Sequence, residues 1–215
     1  MNFKKIQLFI FDMDGLLIDS EPYWKIAEKK VFGELGLELT DEQLRQVMGF
    51  RLSEVVKYWY NYQPWENPNF AKTEADVLAC VKQLIADKAD AMPGVYETLT
   101  QLKKANYKMA LASSSAMELI EVMVDKLQIR SFFDLLWSAQ FEAYGKPHPA
   151  IFLSVADKLS VNPTNCVVFE DAINGVIAAK AARMQCIAIP EAVSFNDPRY
   201  AIADTKLNSL LEFNL

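Results

Sequence analysis

Apolar residues along this chain recur with two different periods, and the two alternate from end to end. The run 6–11 is short and apolar apart from Gln7, and reads as a buried strand that stops at Asp12. Beyond it, 21–35 carries Tyr23, Ile26, Ala27, Val31, Phe32 and Leu35 near helical spacing, and Gly36 is a natural stop. Thr40-Asp41-Glu42-Gln43 has the form of a capping box, which predicts a helix over 41–48. Further helices are predicted over 53–60 and 72–88, separated by a loop at 61–69 that contains Pro64 and Pro68.

Met92-Pro93-Gly94 breaks this helical stretch, and the periods then alternate. Helices are predicted over 95–104, 116–127, 150–159 and 172–182, and strands over 108–112, 135–138, 166–169 and 186–189. Strands alternating with helices predict an α/β protein with a parallel sheet covered by helices on both faces. A helical insert of about seventy residues after the first strand is far too long for a connection, so it should pack as a domain of its own. The expected division is a core of 1–19 plus 92–215 and an insert of 20–91.

Candidate chemistry gathers where strands end. Asp12 and Asp14, spaced i, i+2 and followed by Gly15, would share one side of the chain and one cation. The carboxyl end of a buried strand is where open α/β sheets bind ligands. Acids this close raise each other's pKa unless a cation compensates. Lys146, in the rigid setting Gly145-Lys146-Pro147-His148-Pro149, is a candidate cation, and Glu170-Asp171 at the end of the apolar run 166–169 is a second acidic pair. The bland alternatives are loop acids at 12 and 14, a solvated lysine, and acids that complement a helix N-terminus at 170 and 171. Ser113 ends the predicted strand before a helix, a place suited to phosphate, and Ser114 or Ser115 would also serve as that helix's N-cap.

These four segments, in this order, resemble the motifs of the haloacid dehalogenase superfamily: Asp12-x-Asp14, Ser113, Lys146-Pro147-x-Pro149, and Glu170-Asp171 with Gly175. Within it the chain is similar to the sugar-phosphate phosphatases and β-phosphoglucomutase-like members, and its first motif to bacterial 2-deoxyglucose-6-phosphate or hexitol phosphatases. The resemblance implies a Rossmann-like core with a helical cap inserted after the first strand. It implies that Asp12 is the nucleophile, that Asp14 is the general acid and base, and that Asp12, Asp14, Glu170 and Asp171 hold Mg²⁺. Ser113, Ser114 and Lys146 would meet the phosphate, and Arg51 and Trp24 of the insert would contact the rest of the substrate. Trp24 departs from the mutase pattern, which has a histidine there. The expected activity is hydrolysis of small sugar or polyol phosphates through an aspartyl-phosphate, with a sugar phosphomutase as the alternative. A non-enzymatic phosphoacceptor domain fits less well, because its phosphorylated Asp follows a later strand, and here that strand ends in Ser113.

Composition narrows the partners. The net charge of -6 argues against a nucleic-acid surface, which needs clustered Lys and Arg. No window is apolar enough to span a membrane, and the six-residue run after Lys4-Lys5 is too short for a signal peptide. Cys80, Cys166 and Cys186 show no disulfide or metal spacing and read as free thiols. A cytoplasmic, monomeric protein acting on a small phosphorylated metabolite is expected. His148, as the sole histidine, leaves no histidine dyad or zinc site. The aromatic run from Tyr58 to Trp65 reads as the insert's own core or as a sugar-binding face.

Overall fold

The computed structural model describes residues 3–215. Six parallel strands form one sheet in the order β3-β2-β1-β4-β5-β6. They are β1 (Leu8–Phe11), β2 (Lys108–Ser113), β3 (Leu135–Ser138), β4 (Cys166–Glu170), β5 (Gln185–Ala188) and β6 (Thr205–Lys206). The helices are α1 (Glu21–Glu34), α2 (Asp41–Arg45), α3 (Leu52–Tyr62), α4 (Phe70–Lys88), α5 (Val95–Lys104), α6 (Met117–Lys126), α7 (Ala150–Lys158) and α8 (Ile173–Ala181).

The sheet is apolar on both faces because helices cover both. Phe9, Phe11, Met109, Leu111, Val167 and Phe169 share one apolar cluster with residues of α5 and α6. The intervening residues Leu8, Ile10, Ala110, Ala112, Cys166 and Val168 share the other with α7 and α8. This is the period-2 alternation of a strand, with both phases buried. Phe11 and Phe169, paired in register on β1 and β4, stack at 4.7 Å between ring centroids. Truncating either ring to alanine would cost about 3–5 kcal/mol, the range for deleting a fully buried aromatic.

Chain order reverses beside β1. The first three strands build outward on one side of it, and β4 returns to its other side. The crevice at the carboxyl ends of β1 and β4 is therefore the switch point, the usual ligand site of such sheets. Among the described residues, no helix is long and apolar enough to cross a membrane.

Helices α1–α4 occupy the insert. The capping box at Thr40 forms, with Gln43 N–H donating to Thr40 Oγ1 at 3.2 Å and Thr40 N–H to Gln43 Oε1 at 2.8 Å. Phe32, Val56, Trp59 and Trp65 build a separate apolar cluster there. Ala27 and Val31 of α1 and Val77, Val81 and Ile85 of α4 instead join the cluster of the sheet. At the root, Ile18 bridges Ala91 antiparallel, and Met92 N–H donates to Leu17 C=O at 3.0 Å.

Element ends differ modestly from the periodicity reading. Helix α2 stops at Arg45 and leads through turns to Gly49, whose φ of +79° a helix cannot hold. Asn69 starts α4 two residues early because its side chain accepts from Lys72 N–H at 3.1 Å. The two-residue β6 is too short to show any period.

Candidate active site

Asp12 directly follows β1, and its N–H donates to Phe169 C=O at 3.0 Å, so the β1–β4 ladder fixes its backbone. Lys146 reaches it from the loop before α7, with Nζ 2.6 Å from Asp12 Oδ1, and also pairs with Glu170 Oε1. All three side chains are buried, and Lys146 Nζ also lies 5.1 Å from the centroid of the Phe152 ring. Asp171 completes the group: ligand oxygens of Asp12, Glu170 and Asp171 lie within 4.8 Å of one another.

Two glycines make this crowding possible. A Cβ at Gly15, where φ is +75°, would overlap Asp171 Oδ2, and a Cβ at Gly175 would overlap Glu170 Oε1. Any side chain at either position would displace a carboxylate. Ala172 N–H, donating to Glu170 Oε2 at 3.2 Å, and Tyr200 Oη, donating to Asp171 C=O at 2.6 Å, hold the acids from behind.

One ammonium faces three buried carboxylates. Burial alone would lower the Lys146 pKa, but Asp12 and Glu170 outweigh it and hold the ammonium above the ordinary lysine range. Burial pushes Asp12 up, Lys146 pulls it back, and Glu170 and Asp14 push it up again, leaving the group raised. These two shifts pull opposite ways on one ion pair; the 2.6 Å contact of a protonated lysine favours the ionised carboxylate. Burial, then Glu170, also raises Asp171. The surplus of negative charge and the all-oxygen donor set fit a hard divalent cation such as Mg²⁺.

Asp14 is held differently. Its Oδ1 accepts from Ser20 Oγ at 2.5 Å and from Trp24 Nε1 at 3.0 Å. Its Oδ2 accepts from Ser115 Oγ at 2.7 Å and from Ser113 Oγ at 3.3 Å. Four neutral donors fix this carboxyl group, whereas Asp12 meets a cation and other acids. Asp14 also lies outside the group of three carboxylates.

Asp12, Asp14, Trp24, Ser113, Ser114, Lys146, Glu170 and Asp171 all line one cleft between the sheet and the insert. Arg51 does not line it. Its guanidinium donates to Glu142 C=O at 3.0 Å and to Glu54 Oε1 at 2.5 Å, along the neighbouring crevice. Ser114 spends its hydroxyl on Gly49 C=O at 2.9 Å, a contact from the core to the insert. Neither Ser114 nor Ser115 caps α6, correcting that expectation. Ala116 holds the N-cap position without a side-chain bond, and Gln140 Oε1 accepts from Met117 N–H at 3.2 Å instead. His148 is exposed and accepts from Ala150 N–H, away from the acids.

Sequence reading missed Ser20 and Ser115 as partners of Asp14, and Glu21, Lys25 and Glu28 as cleft residues. A signal existed for the last three. With Trp24 they fall at i, i+3, i+4 and i+7 of one helix and so share a face. The aromatic run is divided: Trp59 and Trp65 are buried in the insert's cluster with Tyr60 packed against it, Tyr58 and Tyr62 face solvent, and none of the five lines the cleft.

Known proteins match most of the chain. The sequence is 41% identical over 210 residues to hexitol phosphatase B of Escherichia coli K12, covering 97% of this chain and 95% of that one. It is 30% identical over 185 residues to a fructose-1-phosphate phosphatase of the same organism, covering 84% of this chain and 94% of that protein. Among solved structures, β-phosphoglucomutase from Clostridium difficile superposes with a TM-score of 0.87 at 25% identity, covering 98% of this chain and 94% of the other. With the family match running over residues 9–189, the chain belongs to the haloacid dehalogenase-like hydrolases.

Proposed function

We propose that this enzyme hydrolyses small sugar or polyol phosphate monoesters in two steps, through an aspartyl-phosphate on Asp12. The observation that carries the reading is the contrast between two neighbouring acids. Asp12 is buried against a cation at 2.6 Å, and Asp14 is fixed by four neutral donors. Carboxylates in such different surroundings suit the separate roles of nucleophile and proton carrier. Two sequence relatives are named for sugar or polyol phosphates, which supports the same substrate class.

In the first step an Asp12 oxygen attacks phosphorus, the bond from phosphorus to the ester oxygen breaks, and Asp14 gives its proton to the leaving alkoxide. In the second, Asp14 takes a proton from water as that oxygen attacks phosphorus, and inorganic phosphate leaves with Asp12 restored. Lys146 stays protonated throughout and offsets negative charge on the transferring group, where most catalysis of phosphoryl transfer originates. Ser113 at the end of β2, whose hydroxyl makes the longest of the four bonds to Asp14 at 3.3 Å, would turn that hydroxyl to the phosphate oxygens when substrate binds. Mg²⁺ held by Asp12, Glu170, Asp171 and the backbone carbonyl of Asp14 would supply the charge that lets a phosphate dianion approach these acids.

The competing reading is a sugar phosphomutase, which would use the same core residues. Trp24 weighs against it, because an indole N–H only donates and cannot relay a proton as an imidazole does. Phosphate release across a panel of sugar, polyol and nucleoside monophosphates, with and without Mg²⁺, tests the proposal. Free phosphate from sugar or polyol phosphates supports hydrolysis; an isomerised sugar phosphate with little release overturns it.

A further inference from the structure

Glu28 is the least explained charged residue of the cleft. It lies on α1 with only 7% of its surface exposed, and it lines the same cleft as Asp12 and Asp14. Its Oε2 is buried and has no hydrogen-bond partner among the described residues. A buried carboxyl without a partner costs stability, so a fold that keeps one has a use for it.

Its position indicates the use. Trp24, one turn earlier, touches Asp14, and Glu28 lies about 6 Å further along the helix axis. That places it further along the same cleft from Asp14 than Trp24 is, on the side of the insert. Leu44, Val47 and Val55 give the same cleft apolar lining. Glu21 and Lys25, paired at 3.6 Å, line the same face nearer the acids. The face of α1 that lines the cleft thus offers an indole, the Glu21–Lys25 ion pair and one isolated carboxyl at Glu28.

We propose that Glu28 reads a hydroxyl group remote from the phosphate, and so selects polyhydroxylated phosphate esters over equally long apolar ones. The inference rests on the phosphatase reading above and names the part of the substrate that this site recognises. Burial, then the charge of Glu21, pushes the Glu28 carboxyl up to about 8, so near neutral pH it carries its proton. A protonated carboxyl donates one hydrogen bond and accepts another, as a hydroxyl partner requires. An ammonium-bearing substrate would call for the ionised form.

The test compares kcat/KM for glucitol 6-phosphate, n-hexyl phosphate and 6-aminohexyl phosphate in wild type, Glu28→Leu and Glu28→Gln. The expected loss of the glucitol-over-hexyl preference in Glu28→Leu is on the order of tenfold to hundredfold, as for a hydroxyl left unpaired in an apolar pocket. Glu28→Gln, which both donates and accepts, should keep that preference within about threefold. Thermal melting separates a binding role from a structural one. Glu28→Leu removes an unpartnered carboxyl and should melt no lower than wild type. A wild type that prefers glucitol 6-phosphate while Glu28→Leu keeps the same preference overturns the inference and leaves the phosphatase reading standing. A Glu28-dependent preference for the aminohexyl ester also overturns it. A wild type that releases phosphate from none of the three would overturn the phosphatase reading itself.

Discussion

The indole N–H of Trp24 donates to Asp14 Oδ1 at 3.0 Å, so a residue of the insert grips an acid of the core. The family resemblance implies that Trp24 contacts substrate, so that its loss should change specificity. The geometry predicts something else as well. Trp24→Phe keeps the ring and removes the donor, so one of four bonds orienting Asp14 is lost. The expected fall in kcat is about threefold to thirtyfold, the scale of one hydrogen bond. It should be equal for glucitol 6-phosphate and n-hexyl phosphate, whose alkoxides both need a proton, and smaller for p-nitrophenyl phosphate, whose leaving group does not. Unequal losses for the first two would return Trp24 to the role of substrate contact.

Asp12→Asn should leave the fold intact and lower turnover on the order of 10⁴-fold or more, since an amide is a poor nucleophile. The fold should survive because the backbone N–H of residue 12, bonded to Phe169 C=O, is untouched. The check is single-turnover phosphate release alongside a thermal melt. A folded variant with activity within tenfold of wild type, or with detectable phosphoenzyme, removes Asp12 from the role.

Mg²⁺ should be needed for turnover and should also stabilise the folded protein. An ion that binds only the native state adds stability in proportion to the logarithm of its concentration over Kd. Titration with Mg²⁺ should therefore raise Tm of wild type and leave Asp171→Ala nearly flat, while the Mg²⁺ needed for half-maximal activity rises tenfold or more in the variant. Full activity in excess chelator would refute the cation's part in the reaction.

The strands and their terminal acids were legible in sequence because a buried strand ending in carboxylates contradicts its own hydrophobicity. Asp12 and Glu170 stand out for that reason alone. Helix α1 was legible as a helix but not as a surface. Spacing puts Ile26 on the apolar face, yet it is 50% exposed, whereas Glu28 is buried. Hydrophobic period locates a face only where apolar side chains cover it, and a cleft-facing stripe is polar by function. Arg51 shows a different limit. Its charge is visible in sequence, but Glu54 three residues on and the Glu142 carbonyl, 91 residues away, claim its two terminal nitrogens. The first partner lies at a helical spacing that could be read; the second depends on how the insert meets the core.

Glu28 carries a prediction for stability that is independent of turnover. Its carboxyl ordinarily titrates at 4.5 and is pushed up to about 8 in the fold, chiefly by burial, with Glu21 pushing the same way. Below the lower value both states are protonated and the group contributes no pH dependence. Between the two values the unfolded chain gives up its proton and the folded one keeps it, so stability falls as pH rises. The fall ends above the upper value, where both states are ionised, and its accumulated size is a few kcal/mol. Glu28→Gln does not titrate. Its stability advantage over wild type should grow steadily from pH 5 to pH 8, as read by urea unfolding in the presence of chelator. Glu21, pushed up by burial to about 7 and interacting with Glu28, titrates in the same window and modifies the slope; other titrating groups act on both proteins and largely cancel in the difference. Parallel stability curves would mean that the carboxyl is hydrated or partnered in solution, and the case for a hydroxyl-reading residue at this position would lose its physical basis.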